Sequence, residues 1–240
     1  MNEDETLDDL QIKGIKIFQK KRGFRFGMDA VLLANFVKIL KIHNSIDLCS
    51  GTGIIPFIIA GKKEYKKILG LEIQSDLVEM ANRSSKLNGL QGRVDFLECD
   101  IRDLEYLKTL PKADVITVNP PYKVNNSGIL NDNEADRISR HEILCTLEEV
   151  ILASFTLLKD DGRLFMVNRA DRIADVICMM REYRIEPKTI QFVQSKRSKE
   201  AHLFLIEGQK YGGKFLRIKP TLVIYDENSN YTSEILEVYK

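Results

Sequence analysis

The chain has 240 residues, of which 44% are hydrophobic and 30% are charged, and its formal net charge is +1. This length suits one α/β domain that buries a sheet between two helix layers, so residues 1–240 are expected to form a single domain. The small net charge excludes attraction of a nucleic acid by overall charge, and such a partner would have to meet local basic patches. The acidic start over residues 1–10 argues against a signal peptide, and no apolar run is long enough to span a membrane.

The first predicted element is a short hairpin. Apolar residues at 15–18 and 24–26 flank a basic turn at 19–23, a pattern typical of two strands joined by a turn. The helical spacing of the next apolar residues predicts a helix over 29–39. The acidic residues that precede the hairpin are expected to be disordered; they are Glu3, Asp4, Glu5, Asp8 and Asp9.

Strands and helices then alternate along the chain. Alternation of this kind implies a parallel sheet covered by helices on both faces. Two further strand-like runs, at 189–193 and 202–206, are separated by too few residues for a helical crossover, so they predict an antiparallel hairpin. These elements define a core at 46–210, preceded by residues 1–45 and followed by an extension at 211–240. The alternating strands are predicted at 45–48, 68–72, 94–97, 113–118 and 162–167, and the helices at 53–60, 74–88, 147–158 and 171–183.

Cysteine and histidine usage indicates no metal site. The four cysteines (Cys49, Cys99, Cys145 and Cys178) lie far apart and form no Cys-x-x-Cys pair, and the three histidines are scattered. Free thiols in a reducing cytoplasm are the expected state of these cysteines.

The first core strand runs into a glycine turn, Asp47-Leu48-Cys49-Ser50-Gly51-Thr52-Gly53. Glycines in such a turn allow positive φ and close approach of a ligand to the backbone. A dinucleotide fingerprint would have a third glycine where Pro56 stands, and the chain has no triphosphate-binding Gly-x-x-x-x-Gly-Lys pattern. The turn therefore favours a ligand without a pyrophosphate.

Two acidic residues follow the next two strands. Glu72 ends the second strand, where a carboxylate can accept hydrogen bonds from both hydroxyls of a ribose. Asp100, beside Ile101 after the third strand, is placed to contact an adenine. Taken alone, Glu72 could be a solvated strand end and Asp100 a helix cap. Successive strands that each end in a suitable group favour a nucleoside-containing cofactor.

The fourth strand ends in Asn119-Pro120-Pro121-Tyr122, which could also be a turn that merely stops a strand. The amino nitrogen of adenine or of a carboxamide is a poor nucleophile because its lone pair is delocalised. The Asn119 side-chain oxygen and the Pro120 carbonyl can accept its two hydrogens, and the prolines hold both acceptors rigid. Tyr122 offers a flat face for a base, an interaction worth about 1–3 kcal/mol. No general base is assigned, so alignment of the reacting atoms would carry catalysis.

Taken together, these motifs resemble the class I S-adenosylmethionine-dependent methyltransferases that act on amino groups. The resemblance covers roughly residues 25–207. It implies a Rossmann-like fold with a seven-stranded, mostly parallel sheet that ends in a C-terminal antiparallel hairpin, and S-adenosylmethionine as the cofactor. Cys49 stands where many class I members carry glycine.

A narrower similarity involves Phe24-Arg25-Phe26-Gly27-Met28-Asp29-Ala30-Val31-Leu32-Leu33-Ala34 and Ser139-Arg140-His141-Glu142. These segments are similar to the bacterial tRNA adenine-N6 methyltransferases that modify the adenosine 3′ of a valine tRNA anticodon. In that family the segment equivalent to 26–29 closes over the methionine end of the cofactor, so residues 1–45 are expected to cap the site. The resemblance implies that the cofactor-binding residues are Phe26, Asp29, Asp47, Cys49, Gly51, Gly53, Glu72, Asp100, Ile101 and Asn119.

An RNA substrate would meet basic residues near the two hairpins and in the long polar segment at 123–142. Short charged turns can also be simply solvated, and a second lysine cluster at 62–67 is expected to be surface alone. The partner is expected to be tRNA, with no metal and no membrane, and the protein to be a cytoplasmic monomer or weak dimer. The expected substrate-binding residues are Lys21, Arg22, Arg25, Lys123, Arg140, His141, Lys196 and Arg197.

Three alternatives remain open. A protein glutamine-N5 methyltransferase would use the same Asn-Pro-Pro-Tyr motif on a carboxamide, but such enzymes usually carry a helical recognition domain before the cofactor loop, and here only about 45 residues precede it. A DNA adenine methyltransferase would normally need a larger insert after Tyr122. A non-catalytic RNA-binding protein could retain the fold, although the intact motif argues against it.

Overall fold

The computed structural model describes residues 4–21, 27–120 and 145–239. Its strands are β1 (Glu5–Asp9), β2 (Lys16–Lys20), β3 (Asn44–Leu48), β4 (Lys67–Glu72), β5 (Val94–Glu98), β6 (Ala113–Val118), β7 (Leu158–Arg169), β8 (Ile185–Gln194), β9 (Ala201–Lys210), β10 (Arg217–Ile218) and β11 (Leu222–Val223). Its α-helices are α1 (Met28–Phe36), α2 (Ile54–Lys62), α3 (Ser75–Leu87), α4 (Leu104–Thr109), α5 (Leu147–Leu157), α6 (Ile173–Glu182) and α7 (Ser233–Val238).

The main sheet has the strand order β10-β8-β9-β7-β6-β3-β4-β5, with β11 also paired to β8. Strand β9 runs antiparallel to β7 and β8, whereas the other paired strands of this sheet run parallel to one another. The seven long strands confirm the predicted sheet and its terminal hairpin. The two-residue strands β10 and β11 extend it at β8 and were not predicted.

Helices cover the sheet on both faces. Successive side chains of a strand point to opposite sides, so each strand contributes residues to two apolar cores. In β6, Val115 packs into the core beneath α1, α2 and α3, while Ile116 packs into the core beneath α5 and α6. With both faces covered, the central strands are buried along their length, as expected for a parallel sheet. The carboxyl ends of β3, β4, β5, β6, β7 and β8 therefore meet at one edge, which we call the carboxyl edge.

The N-terminal hairpin of the structure is formed by β1 and β2, which pair antiparallel with Glu5 opposite Lys20. The predicted partner of residues 15–18, at 24–26, lies outside the described residues. The expected disorder of Glu5, Asp8 and Asp9 is wrong, because all three lie in β1. The Glu5 side chain is buried and forms a two-point ion pair with Arg83 of α3. This partner is 78 residues away in sequence, so local composition could not reveal it.

Replacing Arg83 by alanine is expected to lower the free energy of unfolding by about 2–3 kcal/mol, because the Glu5 carboxylate would remain buried without its guanidinium partner. Urea unfolding followed by circular dichroism measures this loss. Lys108→Ala is the matched control, since Lys108 pairs with Glu105 in the open and its removal should cost under about 1 kcal/mol. Equal losses in the two variants would contradict a structural role for the buried pair.

The lysine cluster at 62–67 has a structural role and is not merely exposed surface. Lys63 Nζ donates to the carbonyl oxygens of Asn35 and Val37 at the end of α1, and Lys62 Nζ donates to the Val238 carbonyl at the end of α7. Cations at these positions satisfy carbonyls that a helix terminus leaves without intrahelical partners. Burial, with the nearby charge of Lys62, lowers the pKa of Lys63 to about 8. The cluster therefore ties the ends of α1 and α7 to α2.

Candidate functional site

The glycine turn lies at the carboxyl edge, between β3 and α2. Cys49, Gly51 and Gly53 all have positive φ, at 53°, 54° and 84°. A Cβ added at Gly53 would overlap the Phe96 ring, so only glycine fits both the backbone conformation and the space. The turn therefore has the positive φ values that the glycine pattern predicts.

Glu72 is held against this turn. Its side-chain oxygens accept hydrogen bonds from the backbone N–H of Gly51 at 2.9 Å, of Ile73 at 3.0 Å and of Gln74 at 3.1 Å. The residue is only 6% exposed, so it is not a solvated strand end. Backbone donors fix the carboxylate in place and join the end of β4 to the turn after β3.

Asp47, at the base of the turn, is buried and incompletely hydrogen-bonded. Its Oδ1 accepts a hydrogen bond from the Thr117 hydroxyl, but among the described residues its Oδ2 has no partner, and neither has the nearby buried Ser50 Oγ. Burial raises the pKa of Asp47 to about 8, against the Thr117 hydrogen bond, which lowers it; the Glu72 charge raises it further. Buried polar atoms without partners are rare and costly, which favours a polar ligand group at this position.

The raised pKa of Asp47 predicts a pH dependence of stability. In the unfolded chain the carboxyl ionises near pH 3.9, whereas the folded protein keeps its proton up to about pH 8. Between these values the unfolded state binds fewer protons, so this contribution is full below about pH 4 and is lost progressively as the pH rises toward about 8.

The check is urea unfolding of the cofactor-free protein and of Asp47→Asn at several pH values. The difference in unfolding free energy, native minus variant, is expected to fall by up to about 1 kcal/mol per pH unit between roughly pH 5 and 7. A constant offset between the two proteins does not affect this slope. A flat difference would mean that Asp47 is ionised in the folded protein.

Asp100 and Ile101 follow β5 at the same edge. Asp100 is not a helix cap, because Asp103 caps α4 by accepting from the Tyr106 N–H. Its carboxylate instead pairs with Arg102 at 2.6 Å, which lowers the pKa of Asp100. Ile101 is buried. Their contact with an adenine remains a prediction.

Asn119 lies beside the glycine turn. In the pairing of β3 with β6, Leu48 is opposite Val118, so Cys49 and Asn119 are the first residues beyond two adjacent strand ends. Strands in a sheet lie about 4.8 Å apart. Asn119 and the turn that contains Gly51 therefore lie at the same edge of the sheet, as their positions at strand ends predict.

A contact that the sequence did not predict fixes the Asn119 side chain. Its Nδ2 donates a hydrogen bond of 3.0 Å to Oδ2 of Asp29, in the first turn of α1. The other carboxylate oxygen of Asp29 accepts from the Ala30 N–H at 3.0 Å. A Cβ added at Gly27 would lie 2.5 Å from that oxygen, so the glycine leaves room for the carboxylate. The two residues are 90 positions apart, and no local pattern links them.

The expected substrate contacts are only partly described. Pro120 is buried next to Asn119, and Lys21 is exposed at the end of the N-terminal hairpin. Lys196 and Arg197 lie in the turn after β8, at the carboxyl edge, where Lys196 Nζ donates to the Glu227 carbonyl at 3.2 Å. The other expected residues lie outside the described residues; they are Arg22, Arg25, Phe26, Pro121, Tyr122, Lys123, Arg140 and His141.

Within the described ranges, no cluster of three or more His, Cys, Asp or Glu side chains is arranged to hold a metal ion. No helix in these same ranges is long and apolar enough to cross a membrane.

Residues 41–216 match a family model described as a methyltransferase domain. The chain is 26% identical over 239 residues to a tRNA1(Val) (adenine(37)-N6)-methyltransferase of Porphyromonas gingivalis, covering 96% of this chain and 93% of the relative. It is also 26% identical to an enzyme of the same name from Flavobacterium johnsoniae, covering 96% and 97%. These relatives confirm the resemblance drawn from the sequence.

Solved structures show the same fold. A predicted O-methyltransferase from Agrobacterium tumefaciens aligns with a TM-score of 0.72 at 20% identity, covering 88% of this chain and 95% of that one. TYW2 of P. horikoshii, determined in complex with MeSAdo, aligns with a TM-score of 0.59 at 16% identity, covering 88% and 73%. The Rossmann-like class I fold predicted from the motifs is confirmed.

Proposed function

The chain belongs to the methyltransferase domain family, and from this premise we propose that it methylates N6 of an adenosine in tRNA, at the position 3′ of a valine tRNA anticodon. Its cofactor is S-adenosylmethionine. The observation that carries the proposal is the Asn119 amide held by Asp29 beside the glycine turn. The choice of adenosine as the target and of tRNA as the substrate is taken from the names of the relatives.

The residues at the glycine turn fit S-adenosylmethionine. Glu72 is a buried carboxylate on the turn, suited to accept hydrogen bonds from the ribose hydroxyls. Asp47 Oδ2 and Ser50 Oγ are buried polar atoms without partners among the described residues, and they suit the polar methionine end of the molecule. When bound, the cofactor supplies a methyl group made electrophilic by a sulfonium. Asp100 and Ile101 would contact its adenine.

Asn119 would align and activate the amino group of the target base. Because its Nδ2 donates to Asp29, its oxygen lies on the other arm of the planar amide and points away from that carboxylate. An oxygen so oriented accepts a hydrogen from the target amino group, and the Pro120 carbonyl would accept the second. Acceptors fixed before the reaction need little reorganisation as positive charge develops on nitrogen. Tyr122 would stack on the base, which must leave the RNA stack to reach this crevice.

The tRNA would lie along the carboxyl edge. Lys196 and Arg197 follow β8, which is three strand spacings, or about 14 Å, from β6. At this distance, Lys196 and Arg197 would contact phosphates that neighbour the target nucleotide. Lys21, Arg22, Arg25, Lys123, Arg140 and His141 would supply further RNA contacts. With tRNA as the substrate, we place the protein in the cytoplasm.

Nucleoside mass spectrometry of total tRNA, from cells with and without the protein, tests the proposal. Loss of one N6-methyladenosine is the expected result. In a purified reaction, an anticodon stem-loop with adenosine 3′ of the anticodon should accept the methyl group, and the same RNA with guanosine there should not. Methyl label found in a protein instead would support a glutamine-N5 methyltransferase. Cofactor binding with label in neither would indicate a non-catalytic RNA-binding protein.

A further inference from the structure

Two thiols meet at the cofactor turn. Cys49 Sγ and Cys145 Sγ are 3.9 Å apart, although the residues are 96 positions apart in sequence. Cys49 belongs to the glycine turn after β3, and Cys145 precedes Thr146, the N-cap of α5. The pair therefore joins the cofactor turn to a helix on one face of the sheet.

The backbone at Cys49 supports a role for the thiol. The residue has φ 53°, a left-handed conformation that costs energy for a side chain with a Cβ and suits glycine. A strained residue that persists beside a functional site is a reason to look for a function of its side chain. The partner is firmly placed, because Thr146 and Glu149 form a reciprocal capping box at the start of α5.

The two thiols differ in their chemistry. The two thiols share a hydrogen bond in which either sulfur can be the donor. This hydrogen bond lowers the pKa of Cys145 and, together with burial, raises the pKa of Cys49. A lowered pKa raises the thiolate fraction, and the thiolate is the form that attacks oxidants. The pair thus has a nucleophilic sulfur in Cys145 and, at contact distance, a resolving thiol in Cys49.

We propose that Cys49 and Cys145 form a reversible disulfide when a hydroperoxide oxidises the protein, and that this cross-link weakens S-adenosylmethionine binding. The Cys145 thiolate attacks one peroxide oxygen, the O–O bond breaks, and the sulfur becomes a sulfenic acid as hydroxide leaves. The Cys49 sulfur then displaces that hydroxyl, forming the S–S bond and releasing water. Overall, two thiols lose two electrons and two protons, and one hydrogen peroxide becomes two waters.

The cross-link would act through the turn. A disulfide requires an S–S distance of about 2.05 Å, so the sulfurs must approach by nearly half of their present separation. Cys49 is two residues before Gly51, whose N–H donates to Glu72. Drawing Cys49 toward α5 moves the segment that connects these groups, and with it the carboxylate expected to hold the ribose.

The test uses the full-length protein, reduced and then treated with one equivalent of hydrogen peroxide. Peptide mapping without reductant is expected to show a Cys49–Cys145 disulfide, and calorimetry a Kd for S-adenosylmethionine at least tenfold weaker, restored by dithiothreitol. Cys178→Ser, which removes an exposed thiol, should behave identically. Cys145→Ser should bind the cofactor as the reduced parent does and resist peroxide; Cys145→Ala replaces it if the serine variant does not fold.

Two results would overturn the inference: no Cys49–Cys145 disulfide at this peroxide ratio, or an oxidised protein that binds S-adenosylmethionine as tightly as the reduced one. Neither readout involves RNA or methyl transfer. The inference and the proposed tRNA activity can therefore fail separately.

Discussion

Replacing Asn119 by alanine is expected to lower kcat for methyl transfer by about 1000-fold, since removal of one fixed group at a reacting centre typically costs a factor of about 100–1000 and here alignment is lost as well. The Kd for S-adenosylmethionine should stay within about threefold, because Glu72 and the glycine turn are untouched. Single-turnover kinetics and calorimetry measure the two quantities. Asn44→Ala is the control, since it removes an amide from the opposite end of β3, and its kcat should be unchanged.

A variant of Asp29 tests whether this residue acts through Asn119. Asp29→Ala leaves Asn119 in place but removes the acceptor of its Nδ2 hydrogen bond, and should lower kcat by about 10–100-fold, the cost of an interaction of about 1.5–3 kcal/mol. In the double variant the Asp29 change should add almost nothing to the loss from Asn119→Ala, because residues that act as a unit are non-additive. Independent, multiplying effects would mean that Asp29 does not act through Asn119.

Replacing Glu72 by alanine is expected to weaken S-adenosylmethionine binding by about 100-fold, while kcat at saturating cofactor changes little. Each hydrogen bond to a charged group contributes about 1.5–3 kcal/mol, and 1.4 kcal/mol is a factor of ten in Kd. The carboxylate also anchors the turn through the Gly51 N–H, so its loss affects both the ligand contact and the shape of the site. Isothermal titration calorimetry of the apo variants gives the Kd directly.

Glu98→Ala is the matched control for Glu72. Glu98 ends the neighbouring strand β5, in register with Glu72, but its side chain is exposed. Removing it changes the local charge by the same amount without removing a buried acceptor, so cofactor affinity should change by less than about threefold. A similar loss in both variants would indicate general electrostatics in place of a specific ribose contact.

The sheet was predictable because its signals are local. Each core strand is a short apolar run that ends in a polar or glycine-containing turn, and the carboxyl ends of parallel strands meet at one edge. Gly51, Glu72 and Asn119 could therefore be placed together from their positions at strand ends alone. The structure also explains why glycine is needed at Gly53, since this residue has positive φ and no room for a Cβ.

The contacts that sequence reasoning missed are those made between distant segments. In the sequence, Glu5 belongs to an acidic segment of the kind expected in solvent. In the fold, Arg83 lies against it and forms an ion pair with it. Asp29 was assigned to the cofactor by resemblance, and its hydrogen bond to Asn119 depends on how α1 packs on the sheet. The strands at 217–218 and 222–223 have only two residues each and pair with β8, and the helix at 233–238 is also short, so the sequence pattern does not reveal them.

The C-terminal segment packs against α1, although the two are far apart in sequence. Leu222, Ile224 and Ile235 belong to the same apolar core as α1, and α7 packs against that helix. Since α1 carries Asp29, which accepts the hydrogen bond of the Asn119 amide, the packing of residues 222–238 against the α1 core supports the position of that amide. A chain shortened to residue 216, where the family match stops, would keep all of the sequence motifs but lose the residues that pack against α1.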